Sequence, residues 1–330
     1  MFVSGGNQQR VAIVGPGLVG ATAAYALLLS GVGSEIVLVG RDRARAQAHA
    51  DDLLHAAPLS RATRVWAGDY AECRSAAVTV IAVGVTQRAH MTDRLDDLRQ
   101  SAAMFQEIIP RIAEQNPQGI LVIASNPVDV LTYAALKWSG FPAGRVIGSG
   151  TLLDTSRFRT LLAEHYGVAS ENMHAYIVGE HGESQVALLS SASLAGTRLH
   201  EYCQSQGLSY DPAVFGELAG RARVAGLSIV RGKGGTSFGI GAALVRIVRA
   251  IFRNEQAVLT VSTLAPPHSG LGEVCLSLPA VVGEQGITRV LVPAMSPSES
   301  EALRRSADVL KQQIALLPAS PSSHAIRASG

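Results

Sequence analysis

Residues 1–150 predict an α/β domain built on a doubly wound parallel sheet, and residues 151–330 predict an α+β domain. Three observations carry this reading. Short apolar runs alternate with helical segments up to about residue 150. The first run ends in a glycine-rich turn, Gly15-Pro16-Gly17-Leu18-Val19-Gly20. From Thr151 the alternation gives way to long helices and then to strand-like runs.

Val11–Val14 reads as the first strand, and the pattern from the glycine turn to Leu29 as the first helix. Ile36–Val39, Val78–Val83 and Ile120–Ala124 are further apolar strands with helical segments between them. Such alternation winds into a parallel sheet with right-handed crossovers. Beyond residue 150, Thr151–Tyr166 reads as a helix and Met173–Val178 as one strand. Residues 213–230 and 236–252 read as helices, and 256–263 and 273–282 as strands. The last helix, Ser298 to Leu316, opens with Ser298 and Glu301 at the spacing of a capping box. The first five residues and the Ser/Pro/Ala-rich tail, 317–330, read as loose ends.

A chain of 330 residues is too long for one small core, and with 47% hydrophobic and 16% charged residues it buries a substantial one. The net charge of +2, without a block of Lys or Arg, gives no reason to expect nucleic acid. Cys73, Cys203 and Cys275 are far apart and form no C-x-x-C pair, so a reducing cytoplasm is the plain reading and no metal site is expected. The uncharged run Val11–Ser34 is long enough to imitate a membrane span or an export signal. Five glycines and Pro16 interrupt it, and a strand–helix unit of a non-membrane protein accounts for it better.

Gly15-x-Gly17-x-x-Gly20, after a strand and opening a helix, is a Rossmann-type dinucleotide fingerprint. The first glycine permits the tight turn, the second lets a pyrophosphate approach the backbone, and the third lets helix pack on strand. The end of the second strand, where NAD-binding folds carry an acid for the adenine ribose, here carries Gly40, followed by Arg41, Asp42 and Arg43. Loss of the acid and two guanidiniums favour a 2′-phosphate, so the cofactor reading is NAD or NADP with a lean to NADP(H). The alternative is that Asp42 reaches the ribose and the arginines are merely solvated. Asn126-Pro127-Val128-Asp129 ends a strand on the side where open α/β sheets bind ligands. Asn126 is therefore a candidate for the substrate oxygen or the nicotinamide, against the plainer reading of a turn. Gly84 to Arg94 is a polar stretch, either a closing loop that carries Arg94 or an ordinary solvated one.

Asp154 and Arg157 lie three apart on one helix, and His181 sits in Gly179-Glu180-His181-Gly182 after the 173–178 strand. A carboxylate held against an imidazole fixes its tautomer and raises its pKa, which suits proton exchange near neutrality. An arginine beside them offers the fork that grips a carboxylate. The set describes redox or proton chemistry on a small carboxylic acid.

The chain resembles the lactate/malate dehydrogenase family, in its bacterial lactate branch, over nearly its whole length. The resemblance rests on Val146-Ile147-Gly148-Ser149-Gly150-Thr151, Leu153-Asp154, Arg157-Phe158-Arg159, His174-Ala175-Tyr176 and Gly179-Glu180-His181-Gly182. Lys233-Gly234-Gly235-Thr236 and the run from Ala250 to Ser262 match as well. It implies an L-2-hydroxy acid dehydrogenase of the lactate type, moving hydride reversibly between a nicotinamide cofactor and pyruvate or a related 2-keto acid. By position, His181 resembles the acid/base, Asp154 its orienting carboxylate, Arg157 the carboxylate clamp and Arg94 the arginine that polarises the carbonyl. Asn126 and Thr236 would line the substrate site and Ile240 would back the nicotinamide. The segment Gln87 to Arg94 is one residue longer than the lactate pattern. Counting back from Arg94 puts Arg88 at the substrate-selecting position, as in malate enzymes; counting forward from Gly84 puts Gln87 there, as in lactate enzymes. Malate or a longer 2-hydroxy acid is thus the alternative, and a non-catalytic dinucleotide-binding protein the remote one. The resemblance also implies a homo-oligomer, tetramer or dimer, with Arg159 and His174 binding fructose 1,6-bisphosphate between subunits. The plainer reading of Arg159 is an ion pair with Glu164 or Glu180.

Overall fold

The computed structural model describes residues 9–84 and 94–320. Its first half runs β1 (Arg10–Val14), α1 (Leu18–Ser30), β2 (Glu35–Val39), α2 (Arg43–Ala56), β3 (Arg64–Gly68), β4 (Val78–Ile81), α3 (Arg94–Gln115), β5 (Ile120–Ile123), α4 (Val128–Ser139) and β6 (Val146–Gly148). After it come α5 (Leu152–Tyr166) and five two-residue strands: β7 (Met173–His174), β8 (Ile177–Val178), β9 (Val186–Ala187), β10 (Ser193–Leu194) and β11 (Thr197–Arg198). The chain continues through α6 (Leu199–Ser205), α7 (Pro212–Lys233), α8 (Phe238–Phe252), β12 (Ala257–Leu264), β13 (Cys275–Gly283), β14 (Gly286–Val290) and α9 (Pro297–Ile314). No helix among the described residues is long and apolar enough to cross a membrane.

One nine-stranded sheet, ordered β14-β13-β12-β6-β5-β4-β1-β2-β3, runs through both halves of the chain. β1 to β6 are parallel, and β12, β13 and β14 extend the sheet antiparallel beyond β6. Both faces of β1, β2, β4 and β5 are covered, so these strands read as largely apolar runs. In β1, Val11 and Ile13 face one core with Leu27 and Leu244, while Ala12 and Val14 face another with Phe105 and Ile109. The chain winds from β1 outward to β3 and then restarts at β4 on the other side of β1. That switch point leaves a crevice at the C-terminal end of β1, where the glycine turn sits.

The structure corrects the sequence reading at four places. Met173–Val178 is not one strand: β7 pairs with β10, β8 pairs with β9, and Ala175 and Tyr176 carry the chain from one small sheet to the other. The box that caps α9 is Ser296 with Glu299, two residues earlier than Ser298 and Glu301, because Pro297 suits the first helical position and Ser296 precedes it. Glu301 pairs instead with Arg305 one turn on. The sheet also gains the short strands β3, β6 and β14, each too brief or too polar to stand out as an apolar run. The tail is held at its start: Leu317 packs against the core and Gln106 donates to the Ala319 carbonyl at 2.8 Å. Residues 321–330 lie outside the described part.

Candidate active site

The glycine turn is built as its sequence requires. Gly15 has φ +92°, and a Cβ there would stand 2.8 Å from the backbone of Ala82. A Cβ on Gly20 would stand 2.3 Å from the Gly15 carbonyl oxygen, so only glycine lets α1 pack this closely. Around Gly17 there is open space, and α1 begins with no side-chain cap and no acid in its first turn. Its N–H groups are left for an anion, so the turn fits a dinucleotide pyrophosphate. α8 lies along α1, with Gly241 against Thr22, and Gly235, just ahead of α8, against Leu18. Thr236 and Ile240, between these contacts in sequence, are half-buried. At the end of β2, Arg41 and Arg43 are exposed, and Asp42 caps α2 by accepting the Arg45 N–H at 3.0 Å.

His181, Asp154 and Arg157 come together from two segments, α5 and the loop after β8. Asp154, in the first turn of α5, is 1% exposed and divides its oxygens between two partners. Its Oδ2 lies 2.6 Å from His181 Nδ1, and its Oδ1 accepts from Arg157 Nη1 at 3.0 Å. The three predicted residues therefore meet. Burial alone would lower the His181 pKa, but the hydrogen bond and charge of Asp154, with Asp129 behind, hold it above the ordinary 6.5. Burial likewise opposes the Asp154 charge, and His181 and Arg157 outweigh it, keeping this carboxyl below its usual range.

The His181 loop is pinned from two sides by residues whose role the sequence did not disclose. Asp129, fully buried at the start of α4, accepts the His181 backbone N–H at 2.7 Å. Burial pushes Asp129 up to about 6 even with that bond and the nearby imidazole pulling down. It lies in the Asn126–Asp129 motif, and an acid set among Val128, Val130 and Leu131 was the available signal. On the other side, the Glu180 N–H donates to Ser306 Oγ of α9 at 2.8 Å. Ser184 Oγ donates to Glu180 Oε2 at 2.6 Å and lies 2.9 Å from Ser306 Oγ. Because Ser184 spends its hydrogen on Glu180, Ser306 must donate to Ser184, which closes a ring with every hydroxyl oriented. Gly179, at φ +88°, abuts Ser306 and exchanges two 2.9 Å backbone bonds with Ser277 of β13.

Asn126 is exposed at the end of β5, three residues before Asp129, and its bond to Pro127 is cis. Gln87 and Arg88 lie outside the described residues, and of Arg94 only the backbone at the start of α3 is described. Arg159 turns away from Asp154. Its Nε donates to the Ala175 carbonyl at 2.8 Å and its guanidinium lies 5.0 Å from the Tyr176 ring centre, rather than beside Glu164 or Glu180. It lines a cavity of about 290 Å³ with Tyr176 and Arg246, and His174 is exposed on β7 nearby in sequence. Among the described residues no cluster of three or more His, Cys, Asp or Glu is placed to hold a metal ion.

A glycine turn that fits a dinucleotide pyrophosphate, in one chain with a carboxylate-held imidazole and an arginine, is equipment suited to oxidoreduction of small acids. Comparison with known proteins agrees. Residues 9–148 match the model of the lactate/malate dehydrogenase NAD binding domain, and residues 151–319 that of the family's alpha/beta C-terminal domain. An L-lactate dehydrogenase of Thermus aquaticus is 46% identical over 302 residues, covering 92% of this chain and 97% of that one. One from Deinococcus radiodurans is 45% identical over 310 residues, covering 93% of this chain and all of the other. The crystal structure of the minor L-lactate dehydrogenase of Enterococcus mundtii superposes with a TM-score of 0.91 at 35% identity, covering 95% of this chain and 99% of that one. The chain belongs to the lactate/malate dehydrogenase family.

Proposed function

We propose that this chain is an L-2-hydroxy acid dehydrogenase of the lactate type, interconverting a 2-keto acid such as pyruvate and its L-2-hydroxy acid. The observation that carries this is Asp154 holding His181 and Arg157 at once, at 2.6 and 3.0 Å. With Nδ1–H given to Asp154, His181 keeps Nε2 for the substrate oxygen and gives it a proton in reduction. Arg157 grips the substrate carboxylate through its fork, and Arg94 polarises the carbonyl. Asn126 and Thr236 line the remaining sides. When bound along Gly15, Gly17, Gly20 and Ile240, the nicotinamide cofactor supplies or accepts the hydride.

The cofactor reading leans to NADP(H), from Gly40, Arg41 and Arg43, and Asp42's use as the cap of α2 supports it. The division into a dinucleotide-binding part (1–150) and a substrate part (151–330) follows the same reading. A cytoplasmic homotetramer, with a dimer as the smaller option, is the assembly. Arg159 and His174 form an effector site for fructose 1,6-bisphosphate, supported by Arg159 facing away from Asp154. Titrating the bisphosphate while following KM for pyruvate and the sedimentation coefficient tests that site and the assembly together.

The deciding experiment is a steady-state panel of pyruvate, oxaloacetate and 2-ketoisocaproate, each with NADH and NADPH. Preference for pyruvate supports the lactate reading. Preference for oxaloacetate moves the assignment to the malate type and to Arg88 as the selecting residue, and preference for 2-ketoisocaproate moves it to a longer-chain substrate. No turnover with any pair sinks the enzyme reading.

A further inference from the structure

We propose that Pro16 and Gly40 act as a pair that sets which dinucleotide this chain accepts, the proline ring filling the place of a residue-40 side chain. The inference rests on the dinucleotide reading above and deepens it. A Cβ on residue 40 would stand 3.1 Å from Pro16 Cδ, 3.2 Å from Pro16 Cγ and 3.5 Å from Ala46 Cβ. The first two approaches are tighter than ordinary contact, so the neighbour has to give way. Pro16 is badly placed to do so. It is buried, its ring is stiff, and the turn around it is tied down. Gly15 N–H donates to the Val39 carbonyl and Gly17 N–H to the Gly15 carbonyl, both at 2.8 Å. Ala46, the other wall of the slot, is 1% exposed on α2.

A side chain at residue 40 would therefore need the Pro16 ring, and with it the turn, to give by a few tenths of an ångström. Two features at the same rim complete the device. Asp42 spends an oxygen on capping α2, and Arg41 and Arg43 stand exposed there. Selection at the ribose then has a repulsive half, the crowding that penalises a side chain at residue 40, and an attractive half in the guanidiniums. The consequence is epistasis: an acid placed at residue 40 works better once the ring at residue 16 is gone.

The test is a double-mutant cycle of Pro16→Ala, Gly40→Asp and the combined variant. Its readouts are Kd for NADH and for NADPH by titration calorimetry and the melting temperature without cofactor. Gly40→Asp alone is expected to melt several degrees lower and to bind both dinucleotides more weakly. The combined variant is expected to regain the melting temperature and to shift the Kd ratio toward NADH by roughly tenfold, the scale of one charge-assisted hydrogen bond. If Gly40→Asp fails to fold, a second cycle with Gly40→Ala reads the bare Cβ. That substitution should lower the melting temperature while Pro16 is present and leave it unchanged in the Pro16→Ala background. Chain-entropy effects of each substitution recur in both backgrounds and cancel. Additive effects on melting and on the Kd ratio overturn the pair. A wild type that prefers NADH overturns the NADP(H) lean instead, and the cycle still reads the coupling.

Discussion

His181, Asp154 and Arg157 form a chain of dependence in which each side chain fixes the next. His181→Ala removes the proposed proton carrier and is expected to cut turnover by about 10²–10⁴ while leaving dinucleotide Kd nearly unchanged. A variant that keeps more than a tenth of wild-type turnover sinks the assignment. Arg157→Lys replaces a two-pronged donor with a point charge and also weakens the support of Asp154 Oδ1. KM for the keto acid is expected to rise well beyond any change in kcat, and an unchanged KM rules out the clamp. The pH profile carries a sign that can be worked out. The folded-state pKa of His181 lies above 6.5, so the proton persists to higher pH than in the unfolded chain. For reduction, kcat/KM is level at low pH and falls as pH rises through the raised value. The same shift adds stability that is fully present below the unfolded value near 6.5 and is lost as pH climbs through the folded one. Asp154→Asn removes the hydrogen bond to a charge while burial, which pulls down, stays. Its descending limb is expected at lower pH than in wild type, and coincident limbs would mean that Asp154 does not tune the base.

The helices carry these side chains into place, and α9 does so from the far end of the sequence. Ser306→Ala leaves the part-buried Glu180 N–H without its acceptor and breaks the ring through Ser184. A loss of about 1–3 kcal/mol in unfolding free energy is expected. The His181 loop also loses one of its two pins, so kcat should fall more than KM rises. An unchanged denaturation midpoint tells against the ring. This network shows where sequence reading runs out. Asp154, Arg157 and His181 were legible because two lie one turn apart and the third sits in a glycine-flanked loop, patterns local to the chain. Ser306 is a serine among helix formers, 125 residues from His181, and its value comes from a contact that no local pattern encodes. Asp129 is an intermediate case, visible as an acid on an apolar helix face but mute about its partner. Among elements, β1, β2, β4 and β5 were legible because burial on both faces makes them largely apolar runs. β3 was not, since it is an edge strand carrying Arg64. The α9 cap was misplaced by two residues because Ser296 and Ser298 both precede an acid three positions on, and Pro297 decides between them.

At the scale of the molecule, the segments on either side of residue 150 share one sheet and one core. β12 joins the sheet beside β6, through Ser262 opposite Gly148. The core on one face mixes Val11, Ile13 and Leu27 from the first half with Leu244, Ile247, Val248 and Val261 from the second. A chain cut at 150 would bare the face of α1 that α8 covers and leave β6 as a free edge. The two halves are therefore expected to unfold together. The two tryptophans make this measurable, for Trp66 on β3 and Trp138 on α4 both lie in the first half, whereas helical circular dichroism reports on the whole chain. Guanidinium titrations followed by the two signals, at one protein concentration, should give coincident transitions with a single midpoint. Dilution will move that midpoint if subunits dissociate, but both signals should move together. A fluorescence transition separated from the dichroism transition, or a soluble fragment of residues 9–150 with its own cooperative melt, would show that the first half folds alone and that the shared core is dispensable.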